Sequence, residues 1–209
     1  MNLSIRIALA TPLMSAVLAA TALAQQPPPP AAEVGASQLA SAELVSPAMP
    51  RLGVTSPAFK SMGDIPMANT QYAGNNFPGL AWTAGPKTTR SYAIIMQDAD
   101  AMRGGEPILH WTMVNIPATT RRLDPGMTAA PAGSQFGPNI RGMNQPYMGP
   151  HTPPGPKHRY HLQLFALDTT IPAGATADYA SLVAAMKGHV VASGELVGLG
   201  QAPSGSPGH

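Results

Sequence analysis

Proline and glycine interrupt this chain so often that long regular elements are excluded: 24 prolines and 21 glycines are spread along its 209 residues. Proline removes a backbone donor and glycine costs entropy in an element interior, so frequent breakers leave short elements joined by many turns. That pattern predicts mainly β-structure. The predicted strands are Arg51–Thr55, Leu80–Thr83, Ser91–Gln97, Ile108–Ile116, Tyr160–Leu167 and His189–Val197. In the fifth, Tyr160, Leu162, Leu164 and Ala166 share one face. SYAIIMQ (Ser91–Gln97) is apolar almost throughout and reads as a central strand. One helix is expected over Asp178–Lys187, with Asp178 as N-cap, Lys187-Gly188 as stop, and Leu182, Val183 and Met186 as a core-facing stripe.

The two ends read differently from the middle. Residues 1–24 carry one cation, Arg6, then an apolar run, then Ala22-Leu23-Ala24, the small-x-small pattern of a signal-peptidase site. A retained membrane anchor is the alternative; cleavage after Ala24 is the expectation. Residues 25–40 contain four consecutive prolines and read as an extended, exposed spacer. Residues 41–199 have the size of one domain, and residues 200–209 read as a flexible tail. The chain has no cysteine, which fits export to a bacterial periplasm better than a disulfide-rich secreted scaffold. No second long apolar run follows, so no membrane span is expected in the mature chain. The net charge of +2 comes with only 11% charged residues, and Arg121-Arg122 is the only adjacent cationic pair. Nucleic-acid binding needs a cluster of bases that is missing here.

Polar residues converge at two places. Asp98 and Asp100 end one apolar strand at alternate positions, which on an extended backbone face the same side. Such a pair suits metal ligation, acid/base work or acceptance of hydrogen bonds from an amine; a strand-end Asx turn is the structural alternative. His110 and Trp111 follow inside the next strand and face opposite sides, Trp111 as core. Then Gly149 and Pro150 begin a stiff loop that runs through His151 into His158, Arg159 and Tyr160. Backbone N–H groups held in fixed directions, with a titratable imidazole, favour an anion. Arg159 alternates away from His158 and Tyr160, towards an ion pair with a carboxylate. There is no GxSxG, HExxH, P-loop or GxGxxG motif, and no thiol. No spacing specific to one metal ion is present. Neither a metal, a cofactor nor an enzymatic activity is therefore expected. A hydrolase or metal-dependent enzyme built on Asp98, Asp100 and His110 is the weakest reading, since no activated nucleophile is visible.

At these residues the chain closely resembles the bacterial branch of the phosphatidylethanolamine-binding protein (Raf kinase inhibitor protein-like) family. The resemblance covers about residues 41–198. It runs through SPAFKSMGDIP (Ser56–Pro66), GNNFPGLAW (Gly74–Trp82), DADA (Asp98–Ala101, where the family usually has DPDAP), HW (His110-Trp111), YMGPHTPPGPKHRYHLQLFALD (Tyr147–Asp168) and GHVVASGELVG (Gly188–Gly198). Ala99 and Met102 replace the two prolines of DPDAP, and His151-Thr152 stands where bacterial members often have a single cysteine.

The resemblance implies a β-sandwich-like fold with a large antiparallel sheet, a smaller sheet and a few peripheral helices. It also implies a small anion pocket for phosphate-like or phospholipid head groups, using Asp98, His110, Gly149, Pro150, His158 and Tyr160, with Asp100 supporting its wall. An exported, periplasmic or secreted, non-enzymatic binding protein is the expected function. A protease or kinase inhibitor acting through the pocket rim is the alternative. The expected partner is a small anionic ligand, phosphate or phosphoethanolamine-like; a protein partner and a homodimer are left open.

Overall fold

The computed structural model describes residues 33–206, so the expected signal segment and the proline run lie outside the described residues. Nine strands and two α-helices follow in order: α1 (Ala40–Leu44), β1 (Val54–Thr55), β2 (Gly63–Asp64), β3 (Leu80–Trp82), β4 (Ser91–Arg103), β5 (Glu106–Pro117), β6 (Arg122–Leu123), β7 (Gln135–Phe136), β8 (His158–Leu167), α2 (Tyr179–Met186) and β9 (Val190–Gly200). They build a six-stranded sheet in the order β2-β9-β8-β4-β5-β7 and a three-stranded sheet β1-β3-β6. The large sheet is antiparallel except at its edge, where β2 runs parallel to β9. The architecture is mainly β, as the sequence pattern predicts, and its two sheets and peripheral helices are those the family resemblance implies.

The continuous apolar run of β4 exists because both faces of the large sheet are covered. Tyr92, Ile94 and Met96 point to one face, where Trp82, Leu80 and Leu123 of the small sheet close the larger core. Ala93 and Ile95 point to the other, against Leu182 and Met186 of α2 and Ala40 of α1. On β8, Tyr160, Leu162, Leu164 and Ala166 all enter the first core, and Phe165 and Leu167 enter the second. Helix α2 has Asp178 as its N-cap, with the side chain accepting from Ser181 N–H at 2.7 Å.

Three differences from the sequence expectation concern the boundaries. Arg51–Thr55 is a strand only at Val54–Thr55, with Arg51 making an isolated bridge to Ser193. Strand β9 reaches Gly200, which pairs with His158. At the other end, residues 33–40 are anchored to the sheet, although Val34 and residues 36–38 are exposed. Gly35 N–H donates to the Ala99 carbonyl at 2.8 Å, and Leu39 and Ala40 are buried. The first N–H groups of α1, which no helix can satisfy internally, are met by sheet side chains: Ala40 N–H donates to Gln97 Oε1 and Ser41 N–H to Gln163 Oε1. Those buried glutamines hold the segment down, and nothing in its own composition announces it.

Strand β5 carries two bulges that decide what it can present. Opposite β4, Tyr92 and Ile94 pair with Ile116 and Met113, so β5 holds an extra residue at Asn115. Asn115 takes φ +57°, a left-handed conformation that asparagine tolerates. Its amide holds both backbone groups of Ile171, donating to the carbonyl at 2.9 Å and accepting from the N–H at 2.7 Å. Asn115→Ala loses both bonds and puts an unsuited residue at positive φ, so it should cost about 2 kcal/mol in urea unfolding. An unchanged midpoint would mean that Ile171 finds other partners.

Candidate functional site

The second bulge on β5 is His110. Met96 pairs with Trp111 and Gln97 with Leu109, which leaves His110 unopposed between them. The bulge reverses the strand's phase: Leu109 enters the core beneath the helices, whereas Trp111, two residues on, enters the core between the sheets. His110 is thereby aimed into a cavity of about 230 Å³ whose walls include Asp98, Tyr160, Gln71, Arg141, Met148 and His151.

The ring of His110 is buried and oriented by main chain. Its Nδ1 lies 3.1 Å from the Met148 carbonyl and 3.2 Å from the Gly149 carbonyl. Two carbonyls can only accept, so Nδ1 carries the proton and donates. Nε2 then has a lone pair in the neutral ring and makes no hydrogen bond among the described residues. Burial holds the ring's pKa below the usual histidine value, despite the opposing pull of Asp98 and of the two carbonyls. The resting group is therefore a neutral imidazole, stacked edge-on to Tyr160 at 5.0 Å.

Asp98 is almost fully buried. One carboxylate oxygen accepts from His158 Nδ1 at 2.8 Å and the other from Asp100 N–H at 2.9 Å. That second bond is the Asx turn foreseen as the structural alternative, and it coexists with the cavity position. The hydrogen bond to Asp98 raises the pKa of His158 above its ordinary value, outweighing burial. Burial pushes the Tyr160 phenol well up, so it stays a neutral hydroxyl, sharing a hydrogen bond with Thr152 Oγ1 at 2.9 Å.

Several of the expected site residues have other positions. Asp100 does not share a face with Asp98. Strand β4 has a register break between Asp98 and Met102, and this turns Asp100 to Arg159, whose backbone N–H and Nε donate to it at 2.7 and 2.8 Å. Arg159 outweighs burial and lowers the Asp100 pKa. Arg159 therefore makes the ion pair expected of it, and Asp100 is no part of the cavity wall. Gly149 and Pro150 stand behind the cavity. Gly149 N–H is consumed by Asn75 Oδ1 at 2.7 Å, and proline has no N–H, so neither offers a donor to a ligand. The Pro150 carbonyl accepts from Gln71 N–H at 2.9 Å. His158 contributes through Asp98, outside the lining.

Two polar lining residues escape the sequence reading. Gln71 donates to the Gly149 carbonyl at 2.7 Å and accepts from Arg141 Nη2 at 2.6 Å. Arg141 is exposed at the cavity and adds its positive charge there. It lies in Thr119–Gly155, an aperiodic stretch that gives no sign of which residues face inward. Among the described residues, no group of three or more His, Asp or Glu side chains has metal-binding geometry.

The histidines should titrate apart. His158 is raised by Asp98. His161 is raised too: burial opposes its charge, but the hydrogen bond to Glu195 and the carboxylates of Glu195 and Glu33 outweigh it. A group raised in the folded state stabilises fully below its unfolded pKa and loses that contribution as pH rises through the folded value. His110, lowered by burial, acts the other way and loses stability as pH falls below about 6.5. NMR titration of ring protons should therefore place His158 and His161 above that value and His110 below it. Co-titration of all three would refute these environments.

Residues 55–201 match the family model described as phosphatidylethanolamine-binding protein. A UPF0098 protein from Methanothermobacter thermautotrophicus is 36% identical over 145 residues, covering 68% of this chain and 93% of that one. The structure of Escherichia coli YbcL, described as a new member of the mammalian PEBP family, superposes with a TM-score of 0.67 at 27% identity, covering 73% of this chain and 99% of its own. A putative PEBP homologue from Chlamydia trachomatis superposes with a TM-score of 0.65 at 27% identity, over 73% and 99% of the two chains.

Proposed function

This chain belongs to the phosphatidylethanolamine-binding protein family, and on that premise we propose that it is an exported, non-enzymatic binding protein whose cavity takes a phosphate-bearing head group. The observation that carries this reading is the pairing of opposite charges around one small space. The Asp98 carboxylate and the lone pair of His110 Nε2 accept hydrogen bonds, whereas Arg141 supplies a cation at an exposed position. A zwitterion satisfies both: its ammonium donates to Asp98, and its phosphate pairs with Arg141. Inorganic phosphate satisfies only one and meets the carboxylate as a like charge. The head group favoured is therefore phosphoethanolamine. Against catalysis, Tyr160 stays protonated and Asp98 is engaged by His158, so neither is poised as a nucleophile.

Two-dimensional NMR of the chain from Gln25 onward, titrated with phosphoethanolamine and then with inorganic phosphate, tests the reading. Saturable shifts at Gln71, His110 and Arg141, with tighter binding of the zwitterion, are expected. No shift at millimolar ligand would overturn the head-group reading and favour a protein partner acting at the rim. Export is tested separately, by N-terminal sequencing of protein from a periplasmic fraction, where Gln25 is the expected first residue.

A further inference from the structure

Residues 33–41 form a strap across the large sheet, on the face away from the cavity. Tyr160 of β8 lines the cavity, and His161, the next residue, turns to the opposite face and meets the strap. The strap is fastened at both ends. At the far end Ala40 and Ser41 N–H groups donate to Gln97 and Gln163. At the near end the Glu33 carboxylate lies 3.3 Å from Arg159 Nε and 3.0 Å from His161 Nε2. Between them Gly35 N–H donates to the Ala99 carbonyl at 2.8 Å. The packing there is close: a Cβ on Gly35 would lie 2.8 Å from Met102 Sδ and 2.9 Å from Pro107 Cγ. The strap therefore bears on the end of β4, the same segment that gives Asp98 and Ala101 to the cavity wall.

The two fastenings differ in chemistry. The glutamine end is neutral, whereas the Glu33 end depends on a proton. His161 Nδ1 lies 2.8 Å from Glu195 Oε1 of β9, and its Nε2 faces Glu33. Carboxylates only accept, so the ring serves both only as imidazolium. A neutral ring has one N–H and turns a lone pair to the other carboxylate. Glu195 is set in a strand, paired with Gln163 of β8. Glu33 ends the strap, so Glu33 is the one to yield. The other groups around the ring keep their charge while it titrates. Arg159 is a permanent cation, shared by Glu33 and Asp100. From β4 the residue opposite His161 is the neutral Gln97. Tyr179 of α2 accepts from Gln97, and burial pushes its phenol up to about 12. His158 pairs with Asp98 instead.

We propose that the strap is a proton-operated clamp on the cavity wall: charged His161, held between Glu33 and Glu195, closes the strap, and closure fixes Ala99–Met102 and with them Asp98 and Ala101. The contacts run without a gap. Glu33 and Asp100 share Arg159, Asp100 N–H donates to Asp98, and Gly35 holds Ala99 between those two residues. Rising pH removes the imidazolium charge, leaves Glu33 with Arg159 alone and loosens the end of β4. The sign follows from the ring's environment, in which burial is outweighed by Glu195 and Glu33, so the clamp holds at low pH and is lost as pH rises through the raised value. The effect on the wall is independent of the ligand, and the effect on affinity rests on the head-group reading above.

The test is NMR on the chain from Gln25 onward, between about pH 5.5 and about pH 9.5, a span that brackets a raised histidine. Protection of Gly35 N–H from hydrogen exchange, corrected for the intrinsic rate, should fall about tenfold across the His161 titration, the usual scale of coupling between sites. The Ala101 amide should shift with the same midpoint, and phosphoethanolamine affinity should fall by a similar factor. Two variants separate the clamp from the titration of His158 and of the ligand. In Glu33→Gln the side chain can accept from a charged ring and donate to a neutral one, so Gly35 protection should no longer depend on pH. In Glu33→Ala, Gly35 should exchange fast and Ala101 should keep its high-pH position throughout. Constant Gly35 protection in the parent overturns the clamp. Identical Ala101 shifts in the parent and Glu33→Ala overturn its coupling to the cavity, as does an equal fall in affinity in the parent and Glu33→Gln. Ala101 following Gly35 without phosphoethanolamine binding at any pH upholds the clamp and overturns the head-group reading alone.

Discussion

Gly149→Ala should lower stability by about 3 kcal/mol and disable the cavity in the same step. A Cβ at this position would lie 2.2 Å from the Asn69 carbonyl oxygen and 3.0 Å from Asn75 Oδ1. The nearer atom is backbone, so no side-chain rotation relieves the clash. Asn69 is itself committed, its carbonyl accepting from Tyr147 Oη at 3.0 Å and its amide donating to the Asn76 carbonyl. Relief therefore requires the 147–150 segment to lift away from the 69–76 loop. That movement breaks Gly149 N–H to Asn75 and Gln71 to the Gly149 carbonyl, and it withdraws an acceptor that fixes the His110 ring. For a domain of this size the melting temperature should fall by roughly 6–12 °C. The His110 ring proton should lose its distinct shift, and phosphoethanolamine binding should disappear. Gly174→Ala is the control, since nothing lies within 4 Å of the added methyl group. Equal melting temperatures for the two variants would show that the loops separate without cost.

The contrast between Gly149 and its neighbours indicates what a sequence of this kind makes legible. Strands β4 and β8 announce themselves because their pattern is regular: alternation on β8 sorts Leu162 and Leu164 from Phe165, and unbroken apolarity on β4 implies cover on both faces. Helix α2 carries its own cap in Asp178. Strand β5 is harder, because bulges at His110 and Asn115 break the period on which the argument depends. Leu109 and Trp111, which strict alternation puts together, serve different cores. The same physics limits the site. Asp98, His110 and Tyr160 stand on or beside strands whose ends can be read, and they line one cavity. Asp100 was misplaced by assuming that β4 stays regular past Asp98. Arg141 and Gln71 lie on loops, where a position relative to the cavity follows from contacts many residues away: Gln71 is tied to Gly149 and Arg141 to Gln71. No local pattern encodes such a tie. Residues 33–40 are hidden for a related reason, since Gln97 and Gln163, far along the chain, hold them against the sheet.

Asp98→Asn should invert the ligand preference of the cavity. The substitution keeps the shape and the Asx turn, because Asn Oδ1 still accepts from Asp100 N–H as Asp98 Oδ1 does now. It removes the negative charge and replaces the oxygen that meets His158 Nδ1 with an amide that donates. The contact then survives only when His158 is neutral with Nδ1 as the acceptor. Since the Asp98 hydrogen bond is the largest cause of the raised His158 pKa, that pKa should fall in the variant. For the ligand, the loss is a charge-assisted hydrogen bond from the ammonium, about 2 kcal/mol or roughly thirtyfold in phosphoethanolamine affinity. Inorganic phosphate should bind no more weakly than before, because the carboxylate that repelled it is gone. The two measurements separate a recognition role from a structural one. If Asp98 only held the loop together, both ligands would weaken in parallel and the His158 titration would be lost with the fold. A variant that melts near the parent temperature, titrates His158 lower and binds phosphate but not phosphoethanolamine assigns the ammonium to Asp98. A parallel loss of both ligands refutes that assignment.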